Sequence, residues 1–149
     1  MTTENVITMH APVERVFEAA ADLSLWPRIL PHYRWIRYVE KSPTRNVVIM
    51  AAKRGWIPVQ WTSEQEIDRE RREVRFRHLK AFTKGMRVVW TFTPSNGTVE
   101  VRIRHELTST IPVIGAFIAE QIIGKFFIAF IANQTLTHMK NYVEEYHGA

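Results

Sequence analysis

The dipeptide Asn96-Gly97 lies between two runs of alternating apolar and polar residues, and it constrains this chain more than any other feature. A two-residue type I′ turn needs positive φ at both central positions, which asparagine and glycine tolerate and most residues do not. Folding the chain there pairs Phe92 with Val101, Trp90 with Ile103, Val88 with His105 and Met86 with Leu107 on one face. The other face pairs Arg87 with Glu106, Thr91 with Arg102 and Thr93 with Glu100. One apolar and one polar face is the pattern of a half-buried antiparallel pair.

A second hairpin turns near Glu70-Arg71. Its inner face sets Ile67 against Val74, Gln65 against Phe76 and Ser63 against His78. Its outer face sets Glu66 against Arg75 and Glu64 against Arg77, opposite charges directly across from one another. This pairing bears on composition. The chain has 20 Lys+Arg against 15 Asp+Glu, a net charge of +5, which invites a nucleic-acid reading. The excess is confined to residues 34–104, where 16 bases meet seven acids, while the flanking segments are acidic. On strands, those arginines become cross-strand partners on a solvated face. No helix-turn-helix, zinc-finger or RNP-type pattern supports nucleic acid as a partner.

Residues 33–41 and 45–54 read as two further strands joined at Ser42-Pro43-Thr44, and residues 3–9 as a first strand. Pro12 suits a helix start, followed by Val13, Val16, Phe17 and Ala20 at helical spacing. Ser24 is expected to cap a second short helix through Leu25, Trp26, Ile29 and Leu30. From Pro112 to about Tyr146 the chain reads as one long helix. Strands joined by hairpins and followed by a helix make an α+β pattern, and 149 residues suit a single domain spanning 1–149. No cysteine is present, so disulfides and thiolate chemistry are excluded. No leader pattern opens the chain, which reads as cytoplasmic with peripheral membrane contact left open.

The second half of the long helix is amphipathic, with Ala132, Thr135, Met139, Tyr142 and Val143 on one side. Extended backward, the same wheel places Ile123, Phe126, Phe127 and Phe130 on the face that is polar further along. Three readings stay open for them: a membrane span interrupted by Glu120, Gln121 and Lys125; cover by the chain's own elements; or a patch for dimerisation or interfacial membrane contact.

The stretch Ala11-Pro12-Val13-Glu14-Arg15-Val16-Phe17, then Asp22-Leu23, Trp26-Pro27 and Tyr33, resembles the opening of START-like helix-grip proteins. More narrowly, it is similar to the polyketide cyclase/dehydrase and coenzyme Q-binding branch. The resemblance covers essentially the whole chain. It implies a curved antiparallel sheet of six or seven strands wrapped around a long C-terminal helix, with two short helices after the first strand. It also implies a central cavity for a hydrophobic molecule such as an isoprenoid quinone, a lipid or a polyketide.

The hairpin registers supply an inner face of their own: Trp61, Ser63, Gln65, Phe76, His78, Met86, Val88, Trp90, Ile103 and His105, opposed by Phe117, Gln121, Ile128 and Met139 from the helix. These positions either pack a solid core or wall a pocket with a few convergent polar groups. The resembled aromatase/cyclases carry an inward Arg after the Trp-x-Ser stretch and a Tyr after the Trp-Pro helix. Here Tyr33 matches the tyrosine, whereas Trp61-Thr62-Ser63 leads to Gln65. The leading expectation is therefore a carrier or binding module anchored by Tyr33, Gln65, His78, His105 and Gln121. The alternative is an aromatase/cyclase using Tyr33, His78 and His105 as proton-transfer groups; a third is a dimerising or membrane-associating interaction protein. Ser63 opposite His78 has the look of a nucleophile–base pair without an orienting acid. The six histidines show no metal-ligand spacing, and no cofactor motif is present.

Overall fold

A computed structural model describes residues 2–80, 83–107 and 127–145. The elements run β1 (Thr2–Met9), α1 (Val13–Ala21), α2 (Trp26–Ile29), β2 (Tyr33–Glu40), β3 (Arg45–Arg54), β4 (Ile57–Asp68), β5 (Glu73–His78), β6 (Arg87–Ser95), β7 (Thr98–Glu106) and α3 (Ala129–Glu145). All seven strands form one antiparallel sheet in the order β1-β7-β6-β5-β4-β3-β2. The curved sheet packs against α3, with α1 and α2 bridging its two edge strands in sequence. This is the helix-grip arrangement.

Both hairpin registers hold. Phe92 pairs with Val101, Trp90 with Ile103 and Val88 with His105. Ile67 pairs with Val74, Gln65 with Phe76 and Ser63 with His78. Asn96 and Gly97 take φ values of 47° and 83°, as a type I′ turn demands. The β6–β7 ladder begins at Arg87↔Glu106, so Met86 and Leu107 lie just beyond it, both buried. The β4–β5 turn has no glycine; Arg72 adopts φ 53° there while its guanidinium grips Glu14 on α1 at 2.6 Å.

On the outer face Glu64 binds Arg45 at 2.6 Å and Arg77 at 3.6 Å, while Arg75 reaches Glu73, Asp68 and Glu66 at 2.6, 3.4 and 3.7 Å. Arg102 bridges Glu4 and Glu100, and Glu106 pairs with Arg104 rather than with Arg87. Each exposed pair contributes about 0–1 kcal/mol. Their larger effect is on register, since a one-residue slip would set Glu64 against Phe76 and Glu66 against Val74 and lose every cross-strand pair.

Pro12 precedes α1 in extended conformation, and Val16, Phe17 and Ala19–Ala21 bury its inner face. Ser24 does not cap α2: its hydroxyl donates to Asp22, and Leu25 holds the cap position with no side-chain bond. Helix α3 buries Ala132, Thr135, Leu136, Met139 and Val143. It is tied to β1 by Asn5–Asn133 at 2.7 Å and by the Lys140 ammonium on the Thr8 carbonyl at 3.1 Å. Of the expected long helix, residues 112–126 and Tyr146 lie outside the described residues, and with them Phe117, Gln121, Ile123 and Phe126. No helix among the described residues is long and apolar enough to cross a membrane.

Candidate functional site: a cavity between sheet and helix

Alternation along the strands sends every second side chain toward α3, and the sheet's curvature keeps those side chains from meeting the helix everywhere. A cavity of about 330 Å³ remains. The sheet side is built from Tyr33, Met50, Val59, Gln60, Trp61, Phe76, His78, Val88, Trp90, Ile103 and His105. Helix α3 and the residues leading into it contribute Phe127, Ile128, Ile131, Ala132 and Thr135; Trp26 of α2 and Thr83 and Met86 of the β5–β6 loop complete the wall. Among the described residues, no Asp, Glu, Lys or Arg lines it.

The aromatic wall is cross-braced. Trp26 donates its indole N–H to the Ala19 carbonyl at 3.0 Å, which satisfies its one polar atom. Around it stand Tyr33, Trp90 and Phe76 at centroid distances of 5.3, 5.6 and 6.1 Å. Trp61 meets Tyr33 edge-on at 6.0 Å and stacks parallel on the His78 imidazole at 5.9 Å.

Polar groups fall into two sets. In the first, His78 Nδ1 lies 2.8 Å from the Thr83 hydroxyl, and His105 stands close enough for the two imidazoles to perturb each other. Burial pulls the His78 pKa down to about 4. Burial, reinforced by His78, pulls His105 down to about 3. His105 Nδ1 is buried with no hydrogen-bond partner. The second set is His32, Tyr33 and Thr135. The Thr135 hydroxyl donates to the Ile131 carbonyl at 2.7 Å, so at its 2.8 Å contact with His32 it accepts from Nε2–H. Burial, with His138 adding to it, lowers His32 to about 4, and burial raises the Tyr33 phenol above its ordinary value. At neutral pH these groups therefore face the interior as uncharged imidazoles and a protonated phenol.

The chain's sequence from residue 9 to residue 130 matches the family model described as polyketide cyclase / dehydrase and lipid transport. The chain belongs to that family. Within the polyketide cyclase/dehydrase and lipid-transport family it is 30% identical over 110 residues to the granaticin polyketide synthase bifunctional cyclase/dehydratase of Streptomyces violaceoruber. That match covers 71% of this chain and 34% of the relative, so the chain spans about a third of the relative's length. Among solved structures, the Zhui aromatase/cyclase from Streptomyces sp. R1128 superposes with a TM-score of 0.85 at 17% identity, covering 97% of this chain and 94% of its own. A STAR-related lipid transfer protein fragment from Xanthomonas axonopodis gives 0.66 at 12% identity over 95% and 85% of the two chains. At such identities the structural likenesses establish the family's fold.

Several residues singled out in the sequence line the family cavity here: Tyr33, Trp61, Phe76, His78, Met86, Val88, Trp90, His105 and Ile128. Three others do not. Met139 is fully buried in the core between α3 and the sheet. Ser63 is fully buried and donates to the Arg77 carbonyl at 3.2 Å, so it forms no nucleophile–base pair with His78. Gln65 is fully buried and satisfied: its amide N–H donates to the Ala21 carbonyl at 3.0 Å, and its carbonyl accepts from Asn46 at 2.8 Å. It staples the end of α1 to β3 and β4 rather than facing a ligand.

Of the phenylalanines for which three readings stood open, the two described ones are covered by the chain's own elements. Phe127 lines the cavity, and Phe130 lies under the Arg54 guanidinium at 4.5 Å. Residues 127–128 form a π turn, which takes more residues per turn than a regular wheel assumes. Sequence reasoning missed Trp26, Met50, Gln60, Thr83 and Thr135 as wall residues. Thr135 had a signal, a hydroxyl on the apolar side of α3. Among the described residues, no group of three or more His, Asp or Glu is arranged to hold a metal ion.

Proposed function

We propose that the chain is a binding or carrier module for an uncharged, largely apolar ring compound that carries both a hydroxyl and a carbonyl, as hydroxylated quinones and polyketide-derived rings do. The observation that carries this reading is the buried Nδ1 of His105, without a partner among the described residues, in a cavity wall whose described residues include no charged side chain. A buried ring nitrogen left unpaired costs about 1–3 kcal/mol, which a ligand hydroxyl, able to donate or accept, would recover. The protonated Tyr33 phenol offers a donor for the carbonyl. A carboxylate would meet no cation among the described wall residues, which disfavours free fatty acids. The volume sits at the lower end of small-molecule pockets, about 300–1,000 Å³, which favours a compact ring system over a long chain. Native mass spectrometry of freshly purified protein, followed by a screen of quinones, hydroxyanthraquinones and fatty acids, tests it. Retention of a neutral ring compound is expected; failure to take up any apolar ligand refutes the reading.

The similarity to the granaticin cyclase/dehydratase supports a second reading, aldol cyclisation and dehydration of a poly-β-ketone. A general base is most effective with a pKa near the working pH. With His78 near 4 and His105 near 3, both are weak bases at neutral pH, which makes this the runner-up. Tyr33→Phe, His78→Gln and His105→Gln separate the two readings. If none changes product formation from a poly-β-ketone, the enzymatic reading fails.

A further inference from the structure

Trp56 has no structural reason to be a tryptophan. It is 88% exposed at the tip of the β3–β4 hairpin, against 58% and 46% for Val39 and Val6, the other exposed large hydrophobics among the described residues. The turn itself is specified by Gly55, at φ 60°, between the paired residues Arg54 and Ile57. A II′ turn makes no demand for an indole at its second central position. Trp56 touches no other aromatic ring among the described residues.

The surroundings of the tip are basic. Residues 41–63 contain Lys41, Arg45, Lys53 and Arg54 and no acid, and residues 74–99 contain five Lys+Arg and no acid. Lys53 flanks the turn on β3, and its amide donates to the His32 carbonyl, next to Arg34 on β2. The acids of β4, from Glu64 to Asp68, lie at the opposite end of that strand. Among the described residues, the acids at the tip's own end, Glu4 and Glu106, are on β1 and β7 and engaged by Arg102 and Arg104. The tip is also fixed relative to the cavity: Arg54 covers Phe130 in the first turn of α3, and the next residues along, Ile131 and Ala132, line the cavity wall.

We propose that the β3–β4 tip is a docking element for an anionic lipid surface, with Trp56 entering the headgroup layer and Lys53 facing the charged heads. An indole is at home in that layer, with its apolar body toward the acyl boundary and its N–H toward water. Lysines near an anionic leaflet add attraction that salt screens. The pinned tip presents the α3 side of the cavity to the bilayer. The proposal stands on the tip alone, and vesicle binding is read without any cavity ligand, so it can fail or succeed independently of the binding reading.

Co-sedimentation with vesicles of phosphatidylcholine, or of phosphatidylcholine and phosphatidylserine at about three to one, tests it. Trp56→Ala, Lys53→Glu and Val39→Ala are compared with the unaltered chain, and circular dichroism confirms folding. The unaltered chain and Val39→Ala are expected to pellet with the anionic vesicles only, and less so as salt rises. Lys53→Glu is expected to weaken partitioning by about fivefold or more, and Trp56→Ala by about tenfold. Equal binding to both vesicle types, no binding to either, or full binding by Trp56→Ala overturns the proposal. The last of these, with Lys53→Glu impaired, would leave a purely electrostatic contact in which the indole takes no part.

Discussion

Replacing His78 and His105 together by glutamine should make the protein markedly less sensitive to acid. In the unfolded chain a histidine titrates near 6.5, whereas in the fold burial holds these two near 4 and 3. A group whose folded pKa is depressed contributes its full share of stability above the unfolded value. That share is lost as pH falls, because the unfolded state takes up protons the folded state refuses. The window therefore opens at about pH 6.5 and closes near pH 3–4. Near pH 5.5 each such histidine adds a slope of about 1.2 kcal/mol per pH unit, and between pH 7.5 and pH 5 each costs about 2 kcal/mol. The pair together removes about 4 kcal/mol, a large part of the roughly 5–15 kcal/mol that holds a domain folded. Urea unfolding at half-unit intervals from pH 7.5 to 5 measures this, stopping above the range where carboxylates titrate. The variant should retain a residual slope from His32, whose pKa is also near 4. Each curve is read against its own value at pH 7.5, so a variant of lower absolute stability still gives the result. Equal pH dependence in the two proteins would refute the uncharged, desolvated imidazoles and the ligand chemistry built on them.

Gln65→Leu leaves the Ala21 carbonyl and the Asn46 amide buried without partners, and should cost about 2–5 kcal/mol in urea unfolding; a loss under 1 kcal/mol would mean water replaces the staple. Adding Asn46→Val should recover part of that loss, because it removes one of the stranded groups. Gly97→Ala should cost about 1–2 kcal/mol from backbone strain alone, since an added Cβ meets nothing within 4 Å. Asn96→Gly, by contrast, should be nearly neutral, and thermal or chemical unfolding of the two variants checks the contrast.

The sheet was readable from sequence because two independent signals agreed at each hairpin: Asn96-Gly97 with apolar alternation, and Glu64 and Glu66 with the arginines opposite. Both act over short distances along the chain. The cavity was readable only in part, because alternation says which side chains point inward and curvature decides which of them touch. Trp90 and Phe76 reached the wall by alternation alone. Gln65 shares their face yet meets the end of α1, and no periodicity distinguishes a polar side chain that finds Ala21 from one that finds a ligand. Phe127 was misplaced for another reason: a π turn breaks the constant angle on which a helical wheel depends. Trp26 and Met50 escaped notice because they arrive from α2 and β3, outside the two hairpins that defined the inner face.

The pairing of β1 with β7 also has a consequence in time. Every other strand pairs with its neighbour in sequence, so β2 through β7 can zip together locally as they emerge. Thr2–Met9, made first, must wait for residues 99–106 before it has a partner. At about 5–20 residues per second of synthesis, that wait lasts roughly 5–20 s. For that interval β1 has no partner strand and the apolar face of the growing meander lacks α3. The nascent chain is then most exposed to aggregation and to chaperones, and changes in β1 should lower the yield of folded protein more than equal changes in β4.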